Sequence, residues 1–428
     1  LRTSRRKPFW VMFAAAVIWY ADTMTVSCFL PDLQYIEAWA VHIHNAGLGQ
    51  VYQGSPLYNY PPLMAYALWL FGLPFADVGA LKDSLYLFKF LPLAFDLAAA
   101  IVAVKWAGDR RREALCLLVL VANPIYVFES FTWGQIDSTY CALVFFSLYA
   151  AVRDRPVSSA LLFTLAFNFK IQALLFAPLF GLIWLWKFRQ PWAPKRVALA
   201  WGVCGIFQFA LLIPFIAAGQ LGHMLGILAS PVNYYHSISM NAFNFWHFFY
   251  GERSYVMDDT AVRVAGGLTA QQAGLALFFG ISLLILAPPF LRIVKAKIKN
   301  QPYLWSEESL LLMFSLIPLV FFFFCTQMHE RYAQPAILFV AVYSFRTRRY
   351  WLLALMFAAY GVNMDYVYQG MITEGWQRVL FNTRLVASIY AALVAALGWY
   401  YFRSLSKPAV TEPGALTAPA DPRPAGAP

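Results

Sequence analysis

Four short segments, far apart in the chain, carry the side chains able to do chemistry: Asp32, Gln135 with Asp137, Lys170 with Gln172, and the run His329-Glu330-Arg331. Each lies at the end of a long apolar run or between two of them. An ionisable group is costly there and calls for a partner or a function. Asp32 closes the first apolar run and opens an amphipathic stretch with Tyr35, Ile36 and Trp39 on one helical face. A carboxylate in that place can accept a proton from an attacking hydroxyl. It can equally cap the start of a helix. Asp22 is a weaker rival for the same task, because it sits ten residues deeper in the apolar run.

His329 and Arg331 can donate charge-assisted hydrogen bonds to a phosphate, with Glu330 holding Arg331 in place. A purely structural ion-pair network is the other reading of that run. Trp133-Gly134-Gln135-Ile136-Asp137 sets an amide and a carboxylate two residues apart at a helix junction, where a helix start is the plainer explanation. Lys170 follows Asn168 inside an apolar stretch; it can snorkel to the interface or bind an anion there. Tyr58-Asn59-Tyr60-Pro61-Pro62 is a rigid turn, since each proline fixes φ and pushes the preceding residue to extended geometry.

These groups need elements to hold them, and the composition says which kind. Of 428 residues, 61% are apolar and 12% charged. A soluble domain carries about a quarter charged residues, and a disordered chain is more polar still. Apolar runs recur to about residue 402, which predicts an all-α polytopic membrane protein. The clearest spans are 8–30, 85–106, 114–131, 138–152, 197–217, 271–291, 307–325, 332–345, 350–366 and 385–402. The stretch 156–187 is long enough for two passes broken near Lys170, giving about 12 helices. The short stretch 62–76 reads as re-entrant or surface-lying.

In this threading, 24 of the 32 basic residues fall on the side of the N-terminus. That bias puts both termini in the cytoplasm and every polar segment named above at the opposite face, periplasmic or luminal. Such a distribution turns the net charge of +11 into a topology signal, so no nucleic-acid partner is expected. Far-side segments 31–84, 218–270 and 367–384 are aromatic and polar, suited to an interface or to a pocket holding a lipid with a sugar. The five cysteines read as small buried hydrophobes, and the Pro/Ala-rich stretch 404–428 as a disordered cytoplasmic tail. The membrane domain is then 1–403.

With these residues in view, the chain resembles the GT-C integral-membrane glycosyltransferases that use polyprenyl-phosphate sugars. It is most similar to bacterial relatives of the second mannosyltransferase of GPI-anchor assembly and to dolichyl-phosphate-glucose glucosyltransferases. The matching pieces are PDLQYIEAW (31–39), YNYPPLMAY (58–66), KFLPLAFD (89–96), NPIYVFESFTWGQID (123–137), NFKIQALLFAPL (168–179) and TQMHERYAQPAI (326–337). They follow the family's order across most of the membrane region.

The resemblance implies a GT-C bundle with a helical first periplasmic loop. It maps the catalytic base onto Asp32, seven residues before Trp39, and donor-phosphate contacts onto His329, Arg331 and Lys170. Tyr58, Asn59, Tyr60, Gln135, Asp137, Gln172 and Glu330 would line or support the pocket. Relatives often carry Asp where this chain has Asn59, and an amide cannot serve as the base. No Asp-x-Asp pair stands in the first loop, so metal-independent chemistry without a cofactor is expected. Polyprenyl phosphate already leaves well, so the site needs one base and cations for the departing charge. With one carboxylate the displacement inverts the anomeric centre; retention would need a second, paired carboxylate. Glu37, five residues on, points elsewhere in a helix.

The expected partners are the polyprenyl-phosphate-sugar donor, a lipid-linked or glycan acceptor and membrane lipids. The expected setting is a bacterial inner membrane, with the protein as a monomer. A lipid-linked-glycan flippase or transporter is the alternative. It would place polar groups near mid-membrane with internal symmetry, and the sequence has neither.

Overall fold

The computed structural model describes residues 6–24, 28–54, 58–229, 235–370 and 377–406. Among them no β-strand forms, only isolated bridges. The helices are α1 (Arg6–Met24), α2 (Leu30–Ala46), α3 (Pro62–Gly72), α4 (Val78–Ser84), α5 (Phe90–Ala107), α6 (Glu113–Val121), α7 (Asp137–Val152), α8 (Pro156–Phe169) and α9 (Ala177–Lys187). They continue with α10 (Pro194–Ala217), α11 (Leu221–Ala229), α12 (His247–Tyr250), α13 (Ala270–Ile298), α14 (Glu307–Phe324), α15 (Ile337–Thr347), α16 (Tyr350–Tyr368), α17 (Gln377–Leu380) and α18 (Thr383–Ser406). The first far-side segment is helical, as expected, through α2, α3 and α4.

Five stretches among the described residues are long and apolar enough to cross a membrane: Val78–Ala107, Pro194–Ala217, Ala270–Ile298, Glu307–Phe324 and Thr383–Ser406. Shorter apolar helices, Pro62–Gly72, Asp137–Val152, Pro156–Phe169 and Ile171–Lys187, accompany them. The outer faces carry side chains that water would not tolerate in such density. Ile206 is 73% exposed, Leu283 66% and Trp399 66%, which is what a lipid-facing surface requires. The chain is a helical membrane protein.

At the centre lie α7, α14 and α15, buried along nearly their whole lengths. They are packed by α5, α8, α13, α16 and α18. A helix apolar on every side has no solvent face to offer, and the interior is where it goes.

Several boundaries differ from the sequence expectation, each for a local reason. The run 85–106 is not one helix: Asp77 Oδ1 accepts the Ala80 N–H at 2.9 Å and starts α4, a 3₁₀ stretch covers Leu85–Lys89, and α5 begins at Phe90. The run 114–131 is not one helix. It stops at Val121, Asn123 Oδ1 accepts the Ile125 N–H at 3.0 Å ahead of the backbone ladder, and a π-helical turn covers Phe128–Trp133. Residues 404–406 continue α18 instead of starting a tail, and 407–428 lie outside the described residues. The break near Lys170 is present: α8 ends at Phe169, and Lys170 is extended with φ −151° and ψ 129°.

Candidate active site

Asp32 stands in the first turn of α2, yet it caps nothing. The N-cap position is Phe29, and no side-chain cap bond forms there. The carboxylate turns to another part of the chain, where Asp32 Oδ2 accepts the Trp133 indole N–H at 2.6 Å. The two segments are locked in register by the Phe29 N–H donating to the Trp133 carbonyl at 2.9 Å and by their rings at 4.2 Å. Gly134 makes this approach feasible. Its φ is +84°, and a Cβ there would stand 2.4 Å from Cys28 Sγ, so only glycine fits.

Asp137 likewise opens α7 without capping it. The cap comes from a residue the sequence reading left out: Glu129, fully buried, accepts the N–H groups of Asp137 at 3.2 Å and Ser138 at 3.1 Å. Glu129 lies within the apolar run 114–131, and a charge at that depth was the available signal. Asp137 is thereby left to bind cations. It pairs with Lys170, whose extended backbone at the end of α8 sends the ammonium inward, and its Oδ2 lies 3.6 Å from Arg331 Nε. Both members of the Lys170–Asp137 pair are almost wholly buried. The Lys170 ammonium also stands over the Tyr60 and Tyr332 rings, at 5.5 and 5.6 Å.

Arg331 joins the groups. Its Nη1 bonds Glu330 Oε1 at 2.7 Å and lies 3.9 Å from Asp32 Oδ2. Arg331 Nε is buried and makes no hydrogen bond among the described residues, being too far from Asp137 for one. The 326–331 segment owes its shape to Gln327, at φ +62°, and to backbone bonds with 237–240, among them the Met240 N–H to the Met328 carbonyl at 2.9 Å.

These charges set the protonation states. Burial pushes the Asp32 carboxyl up, but Arg331, bonds from Gln135 and Trp133, and His329 together bring it below its ordinary value. Glu330 is also lowered: burial opposes, while His329 and Arg331 prevail. Burial and Arg331 hold His329 below its ordinary value against the pull of Glu330, leaving a neutral imidazole at pH 7. The site at neutral pH therefore has an ionised Asp32 beside a guanidinium with a donor to spare.

All of this borders a cavity of about 720 Å³. Asp32, Tyr58, Asn59, Tyr60, Gln135, Lys170, Gln172 and Arg331 line it, whereas Asp137, Glu330 and His329 do not. Asp137 and Glu330 sit behind the two cations. His329 packs between the Tyr235 and Tyr332 rings, at 5.0 and 5.2 Å, with Nδ1 3.8 Å from Glu330. Gln172 reaches the Tyr332 hydroxyl at 3.4 Å. The Gln135 and Gln172 amide oxygens are buried and accept no bond among the described residues. Apolar residues, including Leu174, Leu228, Leu275 and Phe321, line other parts of the wall. Glu37 is turned away, in an ion pair with Lys82 at 2.7 Å.

The arrangement offers a base, two cations and free amide oxygens within one hollow that also has apolar walls. Such a set can hold a phosphate and a polyol beside an aliphatic chain. No family model matches the chain. It is similar to GPI mannosyltransferase 1 of Kluyveromyces lactis, 27% identical over 154 residues, 34% of this chain. The match spans about a third (36%) of that relative's length.

Proposed function

We propose that the chain is a membrane glycosyltransferase. It moves a hexose, mannose or glucose, from a polyprenyl-phosphate donor to a lipid-linked or glycan acceptor at the periplasmic face. The partial likeness to a GPI mannosyltransferase supports glycosyl transfer, and mannose is the first sugar to try. The observation that carries the reading is the pairing, on one cavity wall, of an ionised Asp32 with Arg331 at 3.9 Å. A base and a phosphate-binding cation are the two things this transfer needs.

The acceptor hydroxyl gives its proton to the Asp32 carboxylate as its oxygen bonds the anomeric carbon. The bond from that carbon to the phosphate oxygen breaks, and the electron pair leaves with the phosphate. Arg331 Nε and the Lys170 ammonium meet the growing negative charge, which is where preorganised donors are most effective. Glu330 and Asp137 hold these cations in place, and Gln135 and Gln172 offer acceptors to sugar hydroxyls. Attack opposite the leaving group inverts the anomeric centre. The base and the cations are all side chains, so the step as written calls for no metal.

The charge bias supports cytoplasmic termini, and the proposal sets the chain in a bacterial inner membrane with about 12 passes. The purified protein in lipid nanodiscs, given polyprenyl-phosphate mannose or glucose and a panel of lipid-linked acceptors, should release polyprenyl phosphate and form a glycosylated acceptor of inverted configuration. Transport of an intact lipid-linked glycan with no bond broken would refute the proposal.

A further inference from the structure

A second group of polar side chains lies outside the cavity, in the far-side segment 235–270. His236, Asp258 and Asp259 bring one imidazole nitrogen and two carboxylate oxygens within 4.8 Å of one another. Asp259 is fully buried. Its Oδ2 accepts from Thr326 Oγ1 at 2.6 Å and Gln327 Nε2 at 2.9 Å, while its Oδ1 is buried and accepts no hydrogen bond among the described residues. An unsatisfied carboxylate oxygen in the interior is costly. Asp258 is fixed by its own turn, Oδ1 accepting from the Thr260 N–H at 2.8 Å and the Thr260 hydroxyl at 2.7 Å. His236 and Asp258 are exposed, so the corner they form with buried Asp259 opens outward.

We propose that His236, Asp258 and Asp259 bind a divalent cation that takes imidazole and carboxylate together, zinc or manganese, and that this ion ties the chain at His236 to the Asp258–Asp259 turn, whose Asp259 in turn bonds Thr326 and Gln327. Donors bound to one such ion at about 2.1 Å lie roughly 3–4 Å apart. Rotation of the exposed His236 side chain and a small shift of the Asp258 turn supply that contraction, with Asp259 as the fixed corner. One imidazole with two carboxylates is a mixed nitrogen–oxygen set, which suits zinc or manganese better than calcium. The location gives the ion its role. Asp259 holds Thr326 and Gln327, both on the cavity wall, and the Gln327 N–H also bonds the Ser237 carbonyl at 3.2 Å, next to His236. Two of the three ligands thus adjoin the strand of chain that leads, four residues later, to Arg331. The ion is structural and takes no part in the transfer step, so the site stands or falls apart from the proposed function.

The test uses the full chain without a polyhistidine tag, stripped with EDTA in nanodiscs and titrated calorimetrically with ZnCl2, MnCl2 and CaCl2. Zinc or manganese should bind saturably at one equivalent and raise the unfolding temperature. Affinity should fall at least tenfold in His236→Ala, whose side chain is exposed and packs in no core, and in Asp259→Asn, which keeps an oxygen for Thr326. Absence of saturable binding by either ion, or equal affinity in His236→Ala, would overturn the proposal.

Discussion

The Asp32 carboxylate and the Trp133 indole, 101 residues apart in sequence, meet in a 2.6 Å hydrogen bond at the mouth of α2. That bond, together with one from Gln135, fixes the direction of the carboxylate toward the cavity shared with Arg331. Trp133→Phe keeps the ring packing against Phe29 and removes only the donor. We expect kcat to fall about tenfold or more while KM for the donor changes little, as a hydrogen bond to a charged group, worth about 1.5–3 kcal/mol, is lost from the base. Steady-state kinetics on both substrates read this split.

Arg331 is assigned to the departing phosphate. Arg331→Ala should lower kcat by 10²–10³-fold, the usual effect of removing a preorganised donor. Arg331→Lys should recover part of it, because an ammonium restores the charge but not the fork of donors. A lysine variant as inactive as alanine would count against a simple charge role. So would wild-type activity in the alanine variant.

The Lys170–Asp137 pair is nearly closed to solvent, so its removal is a stability test as well. Lys170→Met strands the Asp137 charge and should cost about 3–5 kcal/mol, whereas adding Asp137→Asn should recover much of that loss. Thermal unfolding of the single and double variants in nanodiscs checks the cycle. A double-variant cost equal to the sum of the Lys170→Met and Asp137→Asn costs would mean that the pair is not coupled.

The pH response follows from two directions. Asp32 is held below its ordinary value, burial being outweighed by Arg331, Gln135, Trp133 and His329. His329 is held below its own, by burial and by Arg331. The base is therefore ionised throughout the range in which a free carboxyl would begin to protonate. The acid limb of kcat/KM should lie below the ordinary carboxylate value, with no inflection near pH 6.5. The stability sign is the same for Asp32: its depressed pKa adds stability above the unfolded value, lost as pH falls through the folded one. A pH–rate profile with a break near 6.5 would reassign the base to an imidazole.

Much of this was legible because charge is conspicuous in an apolar chain. Asp32, Lys170 and Arg331 stand out as costly groups and do converge. The cap alternative for Asp32 fails because Phe29 occupies the N-cap of α2, whereas the helix start expected at Asp137 is present, with Glu129 capping it. Glu129 is hard to read because the run around it averages apolar, and its charge is the one signal it carries. His329 was expected at the donor phosphate. It lies off the cavity wall, because the left-handed turn at Gln327 and the pairing of 327–329 with 237–241 direct it toward Tyr235 and Glu330. Such a turn cannot be read from a non-glycine residue in sequence. The cation corner was equally hidden, since His236 and Asp259 are joined only through folding.

Gly134 offers a control that touches no polar group. Gly134→Ala adds a methyl 2.4 Å from Cys28 Sγ at a left-handed φ, which costs roughly 1–2 kcal/mol before the clash is counted. The variant should lose stability and also activity, since the Phe29–Trp133 register that aims Asp32 depends on that close approach. Thermal unfolding and transfer rate measured on one preparation separate the two effects.

The central claim is that Asp32 deprotonates an acceptor hydroxyl during glycosyl transfer from a polyprenyl phosphate. Sugar transfer by Asp32→Asn, compared with the unmodified chain at saturating donor, tests it most directly. The account predicts a fall of about 10²–10⁴ in kcat, with donor binding nearly unchanged and a modest drop in unfolding temperature from the lost carboxylate. Transfer at an undiminished rate in that variant would contradict it.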